Sequence, residues 1–171
     1  MRNIVLIGLH GKAGSGKDFI GDILCKKYGF KRFAFADPLK EHCKKDHGWD
    51  GKKDDNGRKL LQIEGTEKHR TNNENVWLDR LDKDIDLAVD DGYNRFVITD
   101  SRFPNELAYV RANGLAVQVI GRGGLANESA KHSSETALDG EIFEFIFDNG
   151  EDVSQSDFDS RIEEMVRIVE K

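Results

Sequence analysis

A three-layer α/β/α fold around a parallel five-stranded sheet is what this sequence predicts, and three observations carry the prediction. Short apolar runs alternate with amphipathic stretches along most of the chain, the pattern of strands joined by crossover helices. The first run, Ile4-Val5-Leu6-Ile7, leads into a glycine-rich stretch, Gly11-Lys12-Ala13-Gly14-Ser15-Gly16-Lys17-Asp18, and then into Phe19, Ile20, Ile23 and Leu24 at helical spacing. Charged residues stand just after the second, third and fourth apolar runs: Asp37, then Asp100-Ser101-Arg102, then Gly121-Arg122. Ligands of open parallel sheets bind beyond the carboxyl ends of the strands, so these charges are expected to converge on one crevice.

The elements follow in order. The first strand covers about 3–9, and the first helix runs over 17–28 and stops near Gly29. Arg32-Phe33-Ala34-Phe35 is a short second strand, and a helix over 38–46 carries Leu39 and Cys43. Residues 47–57 are polar and glycine-bearing, which predicts a loop. A short helix is expected over 58–65 and a longer one over 74–91, with Val76, Trp77, Leu81, Ile85, Leu87 and Ala88 as its apolar face. The third strand is 95–99, followed by a helix over 103–113 with Pro104 in its first turn. A fourth strand at 115–120, a polar loop at 121–139, a fifth strand at 144–147 and a helix at 155–170 complete the chain.

The 171 residues suggest one domain, 1–171, with a sizeable core. With 34% charged and 37% hydrophobic residues the chain reads as soluble and globular rather than disordered. A net charge of −6 argues against a nucleic-acid partner, which calls for a basic face. No apolar run reaches membrane-spanning length, and because a strand is expected to begin at once, no signal peptide is expected. Cys25 and Cys43 lack C-x-x-C spacing, so reduced thiols in a cytoplasmic protein are expected, with Cys25 a small core residue of the first helix.

Gly11 to Lys17 has the Walker A spacing G-x-x-x-x-G-K, and its strand–loop–helix context predicts a phosphate site of the P-loop NTPase type. The glycines let backbone N–H groups converge on phosphate oxygens, and the following helix adds its positive end. Lys17 reaches toward the β- and γ-phosphates. Asp18 departs from the motif, which has Ser or Thr there. Two readings stay open for it: a contact to Mg²⁺ through water, or a cap on the helix start. Phe96-Val97-Ile98-Thr99-Asp100 is a Walker B-like strand ending in a carboxylate that can hold a water of a Mg²⁺ shell or accept a hydrogen bond from substrate. Arg102 and Glu106, four residues apart, read either as a surface ion pair or as a phosphate clamp and the group that orients it. Arg122, within Gly121-Arg122-Gly123-Gly124, reads as a lid guanidinium or as a surface arginine in a turn.

Taken together, the chain resembles the deoxynucleoside monophosphate kinases of tailed bacteriophages. The resemblance covers most of the chain in order and rests on Gly-x4-Gly-Lys-Asp at 11–18, Ala36-Asp37-Pro38-Leu39-Lys40, Leu61-Gln62-x-x-Gly65-Thr66-Glu67, Trp77, Asp100-Ser101-Arg102-x-x-x-Glu106, Arg122 and His132-x-x-Glu135. Family members often place Thr after Gly-Lys-Asp, whereas Phe19 stands here and offers no hydroxyl to a metal.

The resemblance implies a nucleoside monophosphate kinase-like fold with an acceptor-binding region over about 36–92 and a lid loop over about 121–139. It implies ATP as phosphoryl donor, held by Gly11, Ala13, Gly14, Ser15, Gly16, Lys17 and Asp18 with Arg122 from the lid. Asp37, Lys40, Arg58, Lys59, Gly65, Thr66, Arg70, Trp77, Asp100, Arg102 and Glu106 become candidates for the deoxynucleoside monophosphate, and Trp77 reads equally as core. Lys17, Arg122 and Arg102 are the expected catalytic cations, and Mg²⁺ is the expected metal, near Asp18 and Asp100 through water. His132 and Glu135 are read as an ordering element of the lid side, near the adenine. A homodimer and, for a phage source, a host cytoplasmic location are compatible with the family. Kinases of dephospho-coenzyme A, phosphomevalonate or a nucleoside, and a non-catalytic ATP-binding regulator, remain as alternatives.

Overall fold

The computed structural model describes residues 3–52, 54–123 and 131–171. Strands β1 (Val5–His10), β2 (Lys31–Phe33), β3 (Arg95–Ser101), β4 (Leu115–Ile120) and β5 (Phe145–Asp148) form one sheet in the order β2-β3-β1-β4-β5, and every pairing is parallel. Parallel neighbours need crossovers, and helices supply them. These are α1 (Lys17–Tyr28), α2 (Ala36–His47), α3 (Asp55–Gln62), α4 (His69–Asn72), α5 (Val76–Asp90), α6 (Pro104–Asn113), α7 (Ser133–Thr136) and α8 (Gln155–Val169), with a π-helical turn, Ile63–Lys68, joining α3 to α4. No helix among the described residues is long and apolar enough to cross a membrane.

Side chains alternate across each strand, so the sheet feeds two cores. Ile7, Leu9, Val97, Val117 and Phe147 face α1 and α8 through Ile20, Leu24, Phe158, Ile162 and Met165. Leu6, Phe96, Ile98 and Ala116 face α5 and α6 through Leu81, Ile85, Leu107 and Val110. Gly8 is where α6 comes closest: a Cβ there would stand 2.5 Å from the Val110 methyls. β1 and β3 are neighbours, yet the helices that follow them cover opposite faces. The crevice between their carboxyl ends is a topological switch point, where such sheets bind ligands.

Several expectations shift. β3 continues through Ser101 instead of stopping at Thr99, so Asp100 lies within the strand. α2 starts at Ala36, taking in Asp37 and Pro38, because proline is tolerated in a first turn. The loop expected over 47–57 ends early, since Asp54 accepts the Gly57 N–H at 2.8 Å and starts α3. The helix expected to end at 65 runs on through the π turn and α4 to Asn72. Phe19 and Leu87, assigned to apolar faces, are 59% and 63% exposed. Within the loop expected over 121–139, residues 124–130, including Gly124, lie outside the described residues. Both cysteines are free, and Cys25 packs against the core as a partly buried thiol.

Phe147 has no exposed surface and meets Phe158 edge-on at 5.0 Å. Phe147→Ala is expected to cost about 3–5 kcal/mol of unfolding free energy, read by urea denaturation.

Candidate active site

The loop between β1 and α1 turns its backbone inward. Gly11 and Gly16 have φ of 150° and 99°, and a side chain at either meets a fixed neighbour. A Cβ on Gly11 would lie 2.5 Å from the Val119 carbonyl oxygen, and one on Gly16 would lie 2.2 Å from Asn149 Nδ2. Asn149, buried just after β5, donates from Nδ2 to the Ser15 carbonyl at 2.9 Å and so braces the loop. From the β4 side Gly123 lies against it: a Cβ there would stand 2.4 Å from the Ala13 carbonyl oxygen. Lys17 is buried with its ammonium folded back, donating to the Gly11 and Lys12 carbonyls at 2.8 Å each and to Ser15 Oγ at 3.3 Å. Burial, and then the positive charge of Arg102, bring its pKa down to about 8.

Glu135 reaches the same loop from α7. One carboxylate oxygen accepts the Ala13 N–H at 3.2 Å and the other pairs with the Arg102 guanidinium. The Glu135 main-chain oxygen accepts from Lys12 Nζ at 2.5 Å, and Lys12 also pairs with Asp139. His132 starts α7, its Nδ1 accepting the Ser134 N–H at 3.2 Å. A carboxylate therefore accepts from a loop N–H of the kind that donates to phosphate oxygens.

Beside the loop lies a cavity of about 290 Å³. Of the predicted residues, Ala13, Gly14, Lys17, Asp18, Lys40, Arg58, Gly65, Thr66, Arg70, Trp77, Asp100, Arg102 and Glu106 line it. Gly11, Ser15 and Gly16 shape the loop without lining the cavity. Asp37 and Lys59 also stand outside the lining; Asp37 instead pairs with Lys40 at 2.6 Å. Arg122 is exposed beside the loop and donates to the Gly150 carbonyl at 3.4 Å instead of entering the cavity. Trp77 takes the core position read for it and also borders the cavity. It is 3% exposed, packs with Leu39 and Cys43, donates its indole N–H to the Gly65 carbonyl at 2.9 Å, and lines the wall.

Six basic and four acidic side chains line the cavity of a chain whose net charge is −6, so the cavity is locally cationic. Arg58 makes no ion pair among the described residues, and its charge is available to a ligand. The carboxylates are mostly engaged. Asp100 accepts the N–H groups of Phe35 and Ala36 at 2.7 and 2.9 Å, fixing the start of α2 to β3. Asp18 caps nothing; it is 75% exposed and faces Arg32 at 3.3 Å.

The i,i+4 pairing read between Arg102 and Glu106 is replaced by two longer-range pairs. Glu106 Oε2 accepts the backbone N–H groups of Arg102 and Phe103 at 2.7 and 3.2 Å, opening α6. Its other oxygen pairs with Arg70, whose guanidinium lies 4.0 Å over the Phe103 ring. The Arg102 side chain is left to Glu135. Burial raises the Glu106 pKa to about 7 against the pull of Arg70.

Arg32, Phe35, Phe103 and Ser134 join the lining without having been singled out in the sequence. Asn149 was missed as well, although its place directly after a strand follows the rule that drew attention to Asp100.

A phosphate-type loop at the switch point of a five-stranded parallel sheet, opening into a cationic cavity, defines a P-loop kinase fold. Solved structures agree on the fold. Dephospho-CoA kinase from Campylobacter jejuni matches with a TM-score of 0.55 at 15% identity, covering 99% of this chain and 98% of that one. Shikimate kinase from Acinetobacter baumannii matches with a TM-score of 0.51 at 14% identity, covering 99% and 95%. A protein of Acanthamoeba polyphaga mimivirus, which carries the provisional name deoxynucleotide monophosphate kinase, is 32% identical over 164 residues, covering 79% of this chain and 82% of that protein. No family model matches. The chain belongs to the family of that mimivirus protein, and it is a kinase. The relative is viral but not a phage protein.

Arg70→Ala leaves Glu106 buried without its cation, and is expected to destabilise the fold by about 3–5 kcal/mol at pH 8. A carboxyl whose folded pKa, about 7, exceeds its ordinary value of 4.5 contributes less stability as pH rises between the two. The cost of Arg70→Ala should therefore shrink at pH 5, where Glu106 takes up a proton. Urea melts at the two pH values check this.

Proposed function

We propose that this chain transfers the γ-phosphoryl group of ATP to a deoxynucleoside monophosphate, giving ADP and the diphosphate. The observation that carries the reading is the cationic cavity that opens from the phosphate loop and is lined by Arg58, Arg70 and Arg102, with Lys17 at the junction. A polyphosphate on the loop and a monophosphate in the cavity would meet there. The name of the mimivirus relative supports this choice of acceptor.

The acceptor phosphate oxygen is already ionised near neutral pH, so in-line attack on the γ-phosphorus needs no general base from the protein. The chain's task is to position two anions and neutralise their charge. Loop N–H groups of residues 11–17 and the Lys17 ammonium would hold the donor. Arg58 and Arg102 would hold the acceptor phosphate, while Arg70, already committed to Glu106, would stiffen the wall. Gly65, Thr66 and Trp77 would line the nucleoside side of the region over 36–92.

Asp18 and Asp100, both bordering the cavity, would offer oxygen to Mg²⁺ through its water shell. When bound, that ion would supply charge neutralisation at the phosphates. The loop over 121–139 would act as lid, swinging Arg122 from the Gly150 carbonyl toward the donor. Arg102 must leave Glu135 to serve, and phosphate binding at Ala13 N–H would displace the same carboxylate.

The test is ADP release with ATP, Mg²⁺ and dAMP, dGMP, dCMP, dTMP or GMP supplied separately. Acceptor-dependent release is expected with at least one deoxynucleotide; ATP binding without release on any of the five overturns the reading. Arg102→Ala and Arg122→Ala are each expected to lower turnover on the order of 10²–10³-fold. Lys17 must be protonated to meet a polyphosphate, and its pKa is about 8. ATP affinity should therefore be level below that pH and fall by up to about tenfold per unit above it, as read by calorimetric titration.

A further inference from the structure

A second cluster of chemically capable side chains stands next to the cavity wall and takes no part in the proposed transfer. α2 contributes His42 and its last residue, His47; the π-helical turn contributes Glu64; α4 begins with His69. In an α-helix, residues five apart point about 140° away from each other. The wider π turn brings Glu64 and His69 round to one side, and such turns often mark functional sites.

Glu64 Oε2 lies 3.6 Å from His42 Nε2 and 3.7 Å from His69 Nε2, and the two ring nitrogens are 3.3 Å apart. His47 Nε2 is 3.4 Å from Glu64 Oε1, and the ligand atoms of His42, His47 and Glu64 all lie within 4.8 Å of one another. Zinc bonds of about 2.0–2.2 Å in a tetrahedron put neighbouring donor atoms about 3.3–3.6 Å apart. His42, His69 and Glu64 Oε2 stand close to that spacing, and His47 approaches from the side of the second carboxylate oxygen.

Two details go beyond proximity. His42 Nδ1 is 2.6 Å from Asp46 Oδ2, which fixes the ring proton on Nδ1 and aims the Nε2 lone pair at Glu64 and His69. A carboxylate on the far nitrogen is the usual partner of a metal-bound histidine. Glu64 is 3% exposed, and its Oε1 takes Lys68 Nζ at 2.5 Å, which leaves Oε2 facing the two imidazoles.

We propose that His42, Glu64 and His69, with His47 as fourth donor, form a structural zinc site. Imidazole nitrogens favour Zn²⁺ over Mg²⁺, so the site is chemically separate from the metal of the phosphates. None of the four donors lines the cavity, which makes the role structural. The ion would tie the end of α2 to the π turn. That turn carries Gly65, whose carbonyl takes the Trp77 indole, and the His69 ring meets Trp77 at 5.4 Å. Zinc would thereby set the wall of the cavity.

The experiment is zinc content after purification and dialysis against metal-free buffer, followed by titration of the metal-stripped chain with Zn²⁺ and, separately, Co²⁺. One zinc per chain is expected, with Trp fluorescence following the titration, a rise in Tm, the visible absorption of tetrahedral cobalt, and no displacement by millimolar Mg²⁺. Asp46→Asn should weaken zinc binding about 10–100-fold while keeping the stoichiometry. Glu64→Gln and His69→Ala should weaken it further and abolish the zinc-dependent rise in Tm. Circular dichroism of each stripped variant establishes that it is folded. Sub-stoichiometric zinc in the wild-type chain, or folded His69→Ala binding zinc as the wild type does, overturns the site.

Discussion

Everything at the site depends on one backbone constraint: the loop from Gly11 to Gly16 must turn tightly between β1 and α1 with no side chain at its glycines. Glycines at positive φ allow that turn, and the neighbours make them hard to replace. The Val119 carbonyl stands over Gly11, the Asn149 amide over Gly16, and Gly123 over the Ala13 carbonyl. The loop is held from β4 and β5 as well as from its own strand and helix. Its geometry is therefore a property of the whole sheet edge.

A cationic cavity on an acidic chain must manage its own repulsion before any ligand arrives. The structure does so with carboxylates that reach over from other elements. Glu106 takes Arg70 and opens α6; Glu135 takes Arg102 and a loop N–H; Asp100 holds the start of α2. These contacts differ in how readily an anion replaces them. Glu106 is fully buried and serves three donors, so it belongs to the frame. Glu135 sits on a short helix within the segment 121–139, and its partners are the groups an incoming phosphate would use.

The alternation of strands and helices, the phosphate loop and the convergence of strand-end charges were legible in the sequence because each is local or follows from parallel-sheet topology. Lys17, Asp100 and Arg102 stand at the crevice for that reason. Side-chain partners were not legible. Spacing of four suggested Arg102 with Glu106, but the pairs that form, Arg70 with Glu106 and Arg102 with Glu135, span 36 and 33 residues. Of the two readings of Asp18, the cap does not form, because the carboxylate faces Arg32 on a neighbouring strand. The π turn was invisible to a helical period, and with it the meeting of Glu64 and His69. Arg122 carries the same glycine-flanked signal whether it covers a ligand or lies on the surface, and in this conformation it lies on the surface.

The two anion sites meeting at Lys17 are tested most directly by equilibrium binding of a linked ligand, adenosine and thymidine joined through five phosphates, against ATP and dTMP alone. If the loop holds the donor and the cavity holds the acceptor, joining the halves turns the second contact into an intramolecular one, and the linked ligand should bind at least ~10²-fold tighter than either part. Binding no tighter than ATP would mean that the cavity does not receive a nucleotide beside the loop, and would contradict the two-site reading.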